Sequence, residues 1–162
     1  MVGLGFMYEK SHGGLAQDEH KAEELCQNAA DLGNAHAIAS LGTMHERGRG
    51  GLAQDERKAG ELFQKAADLG DGEGMSNLGG MYAEGRGGLT QDDRKAVELF
   101  QKAVDLGDAK GMVNLGVMYQ QGRGGIAQDE HKAIEFYQTA ADLGDAEGMV
   151  ALGFMYERGR GG

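Results

Sequence analysis

The chain has no proline, no tryptophan and a single cysteine, Cys26, among its 162 residues. One thiol can form neither an internal disulfide nor a cysteine-based zinc site. Without proline or a three-residue period, the 30 glycines cannot belong to a collagen-type helix. No apolar run approaches the roughly 18 residues that would mark a membrane-spanning helix, which argues against membrane insertion. Met1 to Tyr8 lacks the basic region of a secretory signal. Positive charge is also scarce: 16 Lys and Arg stand against 26 Asp and Glu, a formal net of -10. A chain that acidic, with no basic stripe, repels phosphate, so nucleic acid is not an expected partner.

What the chain does have is a repeat of 37 residues. Leu4-Gly5 recurs as Leu41-Gly42, Leu78-Gly79, Leu115-Gly116 and Leu152-Gly153. A period of this length signals a solenoid, in which small units stack on their neighbours. Within each unit the residues define two helices. In the unit around residue 115, Met112, Leu115 and Tyr119 follow helical spacing. Asp108 stands as N-cap and Gly122 as left-handed C-cap. A loop with paired glycines follows, then a second helix capped by Asp129, carrying Ala133, Phe136, Tyr137 and Ala140, and closed by Gly144. Glu130 lies in its first turn, where the helix dipole favours a negative charge.

This spacing predicts an all-α chain of nine helices and no strand. The first helix of each pair (helix A) covers about 1–10, 35–47, 72–84, 109–121 and 146–158. The second (helix B) covers about 18–32, 55–69, 92–106 and 129–143. The expected core is Leu41, Leu78, Leu115, Tyr82, Tyr119, Phe63, Phe100, Tyr137, Ala66, Ala103 and Ala140. Cys26 shares the phase of Phe63, Phe100 and Tyr137 and reads as a packed thiol. The methionine phase, Met7, Met44, Met81, Met118 and Met155, reads as adaptable core filler. Gly116 and its equivalents sit mid-helix at a cost of about 0.5–1 kcal/mol relative to alanine, which implies close approach of helix B with its small Ala133 and Ala140. Neither end carries a distinct polar capping repeat, as part of a longer array would not.

The pattern Met112, Leu115-Gly116, Met118-Tyr119, Gly122, then Asp129, Lys132-Ala133, Tyr137, Ala140-Ala141 and Gly144 resembles the Sel-one-like repeat, a relative of the tetratricopeptide repeat. The resemblance covers 1–162 as one solenoid of four full periods and a partial one. It implies an α/α superhelix of antiparallel helix pairs, with helix A on the concave side, acting as an adaptor that binds a protein or peptide. A branch of that family staples each repeat with a cysteine pair and has been credited with beta-lactam binding. With Cys26 alone, this chain departs from that branch.

Comparing the repeats with one another shows where the frame leaves residues free. By resemblance, the concave positions have the phases of Lys110, Val113, Val117, Gln120 and Gln121. The Val117 phase reads Phe6, Thr43, Gly80, Val117 and Phe154. The Lys110 phase reads His36, Glu73, Lys110 and Glu147, and the Gln121 phase reads Lys10, Arg47, Glu84, Gln121 and Arg158. Variation on a constant frame suits partner selection, and neutral drift at solvated positions would look the same. The expected binding residues are Thr43, Glu73, Gly80, Glu84, Lys110, Val117, Gln121 and Phe154. The alternative is a structural spacer or a module that self-associates through its uncapped terminal repeats.

No catalytic, metal or cofactor constellation is expected. Asp129-Glu130-His131 would point to different sides of a helix. His20 and His131 share a solvated phase with Arg57 and Arg94, and His45 takes a tyrosine phase and reads as packed. No two histidines stand four apart, so paired zinc ligands on one helix face are missing. The glycine loops lack the Lys-Ser/Thr of a nucleotide-binding loop. Asp71-Gly72-Glu73-Gly74 supplies too few oxygens for calcium. Arg49, Arg86, Arg123 and Arg160 recur in the loops, either as an anion-binding ladder or, more blandly, paired with carboxylates such as Asp55 and Glu56. A hydrolase ranks far below both binding readings.

Overall fold

The structure is a computed structural model that describes residues 19–159. Within them the chain forms eight helices: α1 (Glu19–Asp31), α2 (Ala35–Arg47), α3 (Glu56–Asp68), α4 (Gly72–Glu84), α5 (Asp93–Asp105), α6 (Ala109–Gln121), α7 (Glu130–Asp142) and α8 (Ala146–Glu157). Among the described residues there is no strand. The expected helix at 1–10, with Phe6, Met7 and Lys10, and the loop residue Arg160 lie outside the described residues.

The caps work as the sequence implies. Asp55, Asp92, Asp108, Asp129 and Asp145 each accept a hydrogen bond from the backbone N–H three residues on, and Asn34 does the same for α2. Each such cap satisfies one of the amides a helix start leaves unpaired. At the other end, Gly122 (φ 64°) and Gly144 (φ 86°) take the left-handed conformation that only glycine adopts without strain. Behind Gly144 the Asp145 N–H reaches the Ala140 carbonyl and the Gly144 N–H reaches Ala141, the paired bonds of a Schellman stop. The start of each helix B is tied back to its helix A: the Asp55, Asp92 and Asp129 amides donate to the carbonyls of His45, Tyr82 and Tyr119 at 2.9 Å.

The chain divides into two compact units, Met1–Gly74 with Arg86–Gly88, and Met75–Gly85 with Leu89–Gly162. In the first, α2 packs on both α1 and α3. Its core holds Ala22, Cys26, Ile38, Leu41, Met44 and Phe63, so the Cys26 thiol is a buried packing group. In the second, α5 packs on α6, α6 on α7, α7 on α8, and α6 also on α8. Leu78, Leu115, Phe100, Tyr137, Ala103 and Ala140 are buried there, as are Met81, Met118 and Met155.

Two core expectations need correction. Tyr82 and Tyr119 are half-buried, not interior. A tyrosine hydroxyl needs a polar partner, and each ring instead forms a floor for a lysine of helix B. The Lys95 ammonium donates to the Tyr82 hydroxyl at 2.7 Å and stands 4.2 Å from the ring centroid. Lys132 stands 5.1 Å over Tyr119, which also stacks on Phe136. The mid-helix glycine meets helix B closely, as expected, but through its aromatic and not through the alanines named for it. A Cβ on Gly42, Gly79 or Gly116 would lie 2.6 Å from a ring carbon of Phe63, Phe100 or Tyr137. The aromatic of helix B, and not its alanines, fills that space. The alanines Ala66, Ala103 and Ala140 meet a second glycine, at Gly74, Gly111 and Gly148 in the first turn of the following helix A.

Candidate partner-binding surface

The candidate surface is carried by the first helix of each pair. On α6, Lys110, Val117 and Gln121 fall at i, i+7 and i+11 and share one face. Lys110 and Gln121 are exposed and Val117 is half-buried, packed against the cluster of Met112, Val113 and Met155. On α4, Gly80 is half-buried with open space where a Cβ would stand, and Glu84 is exposed four residues on. On α8, Phe154 is 56% exposed. These six residues belong to the second unit. Lys110 is anchored across to α4, donating from Nζ to Asn77 Oδ1 at 2.6 Å, while the Ser76 hydroxyl bonds Asp108. Thus side-chain bonds from Asn77 and Ser76 tie α4 to the start of α6.

Thr43 and Glu73 belong to the first unit. Thr43 is half-buried and its hydroxyl donates back to the Ala39 carbonyl at 3.3 Å. Glu73 lies 3.4 Å from His36 Nδ1, which is also 3.6 Å from Asp71. Two further helix A phases prove structural. Val113 is 7% exposed, because α8 packs over it. Gln120 accepts from the Tyr137 hydroxyl at 2.9 Å and approaches Met155 Sδ at 3.5 Å with its amide. Burial pushes the Tyr137 phenol up to about 12.

Two of the loop arginines, Arg86 and Arg123, are internal staples. Arg123 donates through Nε and a terminal nitrogen to both oxygens of Asp93, at 3.0 and 2.7 Å, and to the Ala83 carbonyl at 3.0 Å. The guanidinium bonds hold the Asp93 carboxyl below its usual range. In the first unit, Arg86 reaches Glu46 at 2.7 Å and Glu56 at 3.3 Å. In both cases the arginine grips the first-turn acid of helix B in the preceding repeat, 30 residues back. For Arg86 and Arg123 the ladder reading therefore gives way to the carboxylate pairing. Sequence reasoning missed this register, although an arginine at one phase and an acid 30 residues earlier recur visibly.

His20 and His131 are exposed. His45 is half-buried, and its Nδ1 is shielded from solvent with no hydrogen-bond partner, which fits a packed ring. Among the described residues no three His, Cys, Asp or Glu cluster to hold a metal ion, and no helix is long and apolar enough to cross a membrane.

The Sel1 repeat profile matches at residues 1–34, 35–71, 72–108, 109–145 and 146–162, the last four opening at α2, α4, α6 and α8. The chain belongs to the Sel1 repeat family. Its architecture is the family's all-α solenoid of antiparallel helix pairs. A crystal structure of a Sel1 repeat protein from Oxalobacter formigenes superposes with a TM-score of 0.79 at 30% identity, over 99% of this chain and 64% of that one. A protective antigen of uropathogenic Escherichia coli strains, displaying an SLR fold, gives 0.77 at 27% identity over 97% of this chain and 33% of its own. Helicobacter pylori cysteine rich protein B gives 0.60 at 27% identity, over 85% and 97%. This chain thus spans about two thirds or less of the first two proteins. No curated protein matches it. Sel1 repeat proteins are in general scaffolds for protein interactions.

Proposed function

We propose that this Sel1 repeat chain captures an extended or helical protein segment on the face formed by its helix A stripes, with Gly80, Val117 and Phe154 as the floor. Lys110, Glu84 and Gln121 supply the polar selection; in the first unit Thr43 has the floor position and Glu73 the polar one. The observation that carries this reading is the contrast between phases. In α2, α4 and α6 the leucine, glycine and methionine phases are constant and buried, while the Val117 phase changes from Thr to Gly to Val, and on to Phe in α8, and stays at least partly accessible. A constant frame with changing accessible groups reads one partner across several repeats, each adding a modest contact. Apolar groups at the centre contribute most of the affinity, and rim charges tune encounter and selectivity.

The test is a displayed random-peptide library panned on the immobilised chain. Selected peptides are expected to lose at least about tenfold in affinity for Val117→Asp and to bind Lys102→Glu, changed on the exposed face of α5, as they bind the parent. Loss with Lys102→Glu and retention with Val117→Asp, both variants folded, would overturn the assignment.

A further inference from the structure

Gly80 is a glycine without a structural reason. It sits in the middle of α4, where glycine is a poorer helix former than any residue except proline. Its neighbour Gly79, like Gly42 and Gly116, excludes a side chain because a Cβ would stand 2.6 Å from an aromatic ring. A Cβ on Gly80 would meet nothing within 4 Å, and its φ is not positive. The same phase carries Thr43, Val117 and Phe154 in the other described repeats. Here the frame has room for such a side chain and the chain supplies none. The opening is internal to the array, since α6 follows α4 and is bonded to it.

A second unexplained group stands across from it on α6. Two bonds pass between these helices in the same order along both, Ser76 to Asp108 and Lys110 Nζ to Asn77 Oδ1, the latter at 2.6 Å. One turn further on lie Gly80, on the stripe of Asn77, and Asn114, on the stripe of Lys110 and Val117. Asn77 has Lys110 for a partner. In the next repeat that phase is Glu147, and a carboxylate has no proton to offer Asn114 Oδ1. The half-buried Asn114 carboxamide makes no side-chain hydrogen bond among the described residues. Its donor and its acceptor are both open.

We infer that Gly80 and Asn114 form one subsite, which takes a single residue of an extended segment. The apolar side chain of that residue fills the space over Gly80, and its backbone N–H and C=O pair with the Asn114 carboxamide. The phase itself sets the size, from Val to Phe, since Val117 and Phe154 occupy this room in their own repeats. The open amide sets the backbone. In a strand the N–H and C=O of one residue point the same way and are free, whereas a helix uses both internally. Charge sets the flanks. Lys110 lies one turn before the subsite and Glu84 one turn after it, both exposed. The segment therefore carries an acidic residue on one side of the apolar one and a basic residue on the other. This subsite rests on the partner-binding reading of the face and narrows its occupant from extended or helical to extended.

The probes are the peptides selected by panning on the parent chain, synthesised with a fluorescent label and titrated by anisotropy. Gly80→Ala is expected to raise the urea midpoint, because the better helix former meets no clash. Gly80→Val is expected to stay folded and to weaken binding by at least about tenfold. Panning repeated on Gly80→Val is expected to return a small residue where the parent selected the apolar one. Asn114→Leu is expected to keep a urea midpoint no lower than the parent's and to weaken binding by about tenfold. N-methylation of the peptide at the apolar residue should cost the parent chain a similar factor and cost Asn114→Leu nothing more. A lower urea midpoint for Gly80→Ala gives this glycine a structural role and overturns the inference. Binding at parental strength by Gly80→Val or by Asn114→Leu, while Val117→Asp loses it, overturns the subsite and leaves the face standing. Unchanged binding by Val117→Asp, or no selected peptide at all, overturns the face and the subsite with it.

Discussion

Replacing Gly116 by alanine is the sharpest test of how the repeats are packed. Alanine is the better helix former by about 0.5–1 kcal/mol at a mid-helix position, so propensity alone predicts stabilisation. The structure predicts the opposite. The new Cβ would stand 2.6 Å from Cε1 and 2.9 Å from Cδ1 of Tyr137. That ring is 1% exposed, and its hydroxyl is held by Gln120 at 2.9 Å, so it has no easy direction in which to yield. Overpacking of this kind costs about 1–3 kcal/mol, which leaves a net loss of up to about 2.5 kcal/mol after the propensity gain. Gly153 is the internal control. It has the same phase and the same mid-helix position, yet a Cβ there meets nothing within 4 Å. Gly153→Ala should therefore stabilise by about 0.5–1 kcal/mol. Urea unfolding at low micromolar concentration, with midpoints compared at constant slope, reads both changes. The double variant Gly116→Ala with Tyr137→Leu should recover part of the loss, a coupling that a double-mutant cycle isolates. If Gly116→Ala and Gly153→Ala moved the midpoint equally and in the same direction, the aromatic-on-glycine account would be wrong.

Arg123→Ala should destabilise the second unit by about 0.5–1 kcal/mol, a modest figure because the Arg123–Asp93 pair is partly solvated, and urea midpoints measure it. Because Arg123 lowers the Asp93 pKa, that pair stabilises above the unfolded carboxylate value and the contribution is lost as pH falls below about 4. An acid titration of stability should accordingly fall less steeply in Arg123→Ala than in the parent. Tyr137, with its pKa raised to about 12, keeps its proton in the fold while an unfolded tyrosine ionises near 10. Stability should fall as pH rises from about 10 to 12, and ultraviolet titration should show one late-ionising phenol that Tyr137→Phe removes.

The sequence by itself determined the repeat, the helix boundaries and their caps. Those are local properties: an aspartate that can reach an amide three residues on, or a glycine that can take positive φ, acts within its own turn. It determined the leucine, methionine and helix B aromatic core as well, since a fixed phase over several units leaves one consistent inward direction. Only the tertiary structure decided what those phases touch. It set the aromatics on the Leu-Gly glycines and gave the alanines a second glycine partner. Tyr82 and Tyr119 moved to the rim because their hydroxyls and ring faces serve lysines on another helix. The same distinction holds for the candidate surface. Variable columns were legible along the chain, but Val113 and Gln120 turned out to be structural, and Arg86 and Arg123 became staples across 30 residues. A phase says which way a side chain points within its helix. What stands opposite depends on how the next helix is laid against it.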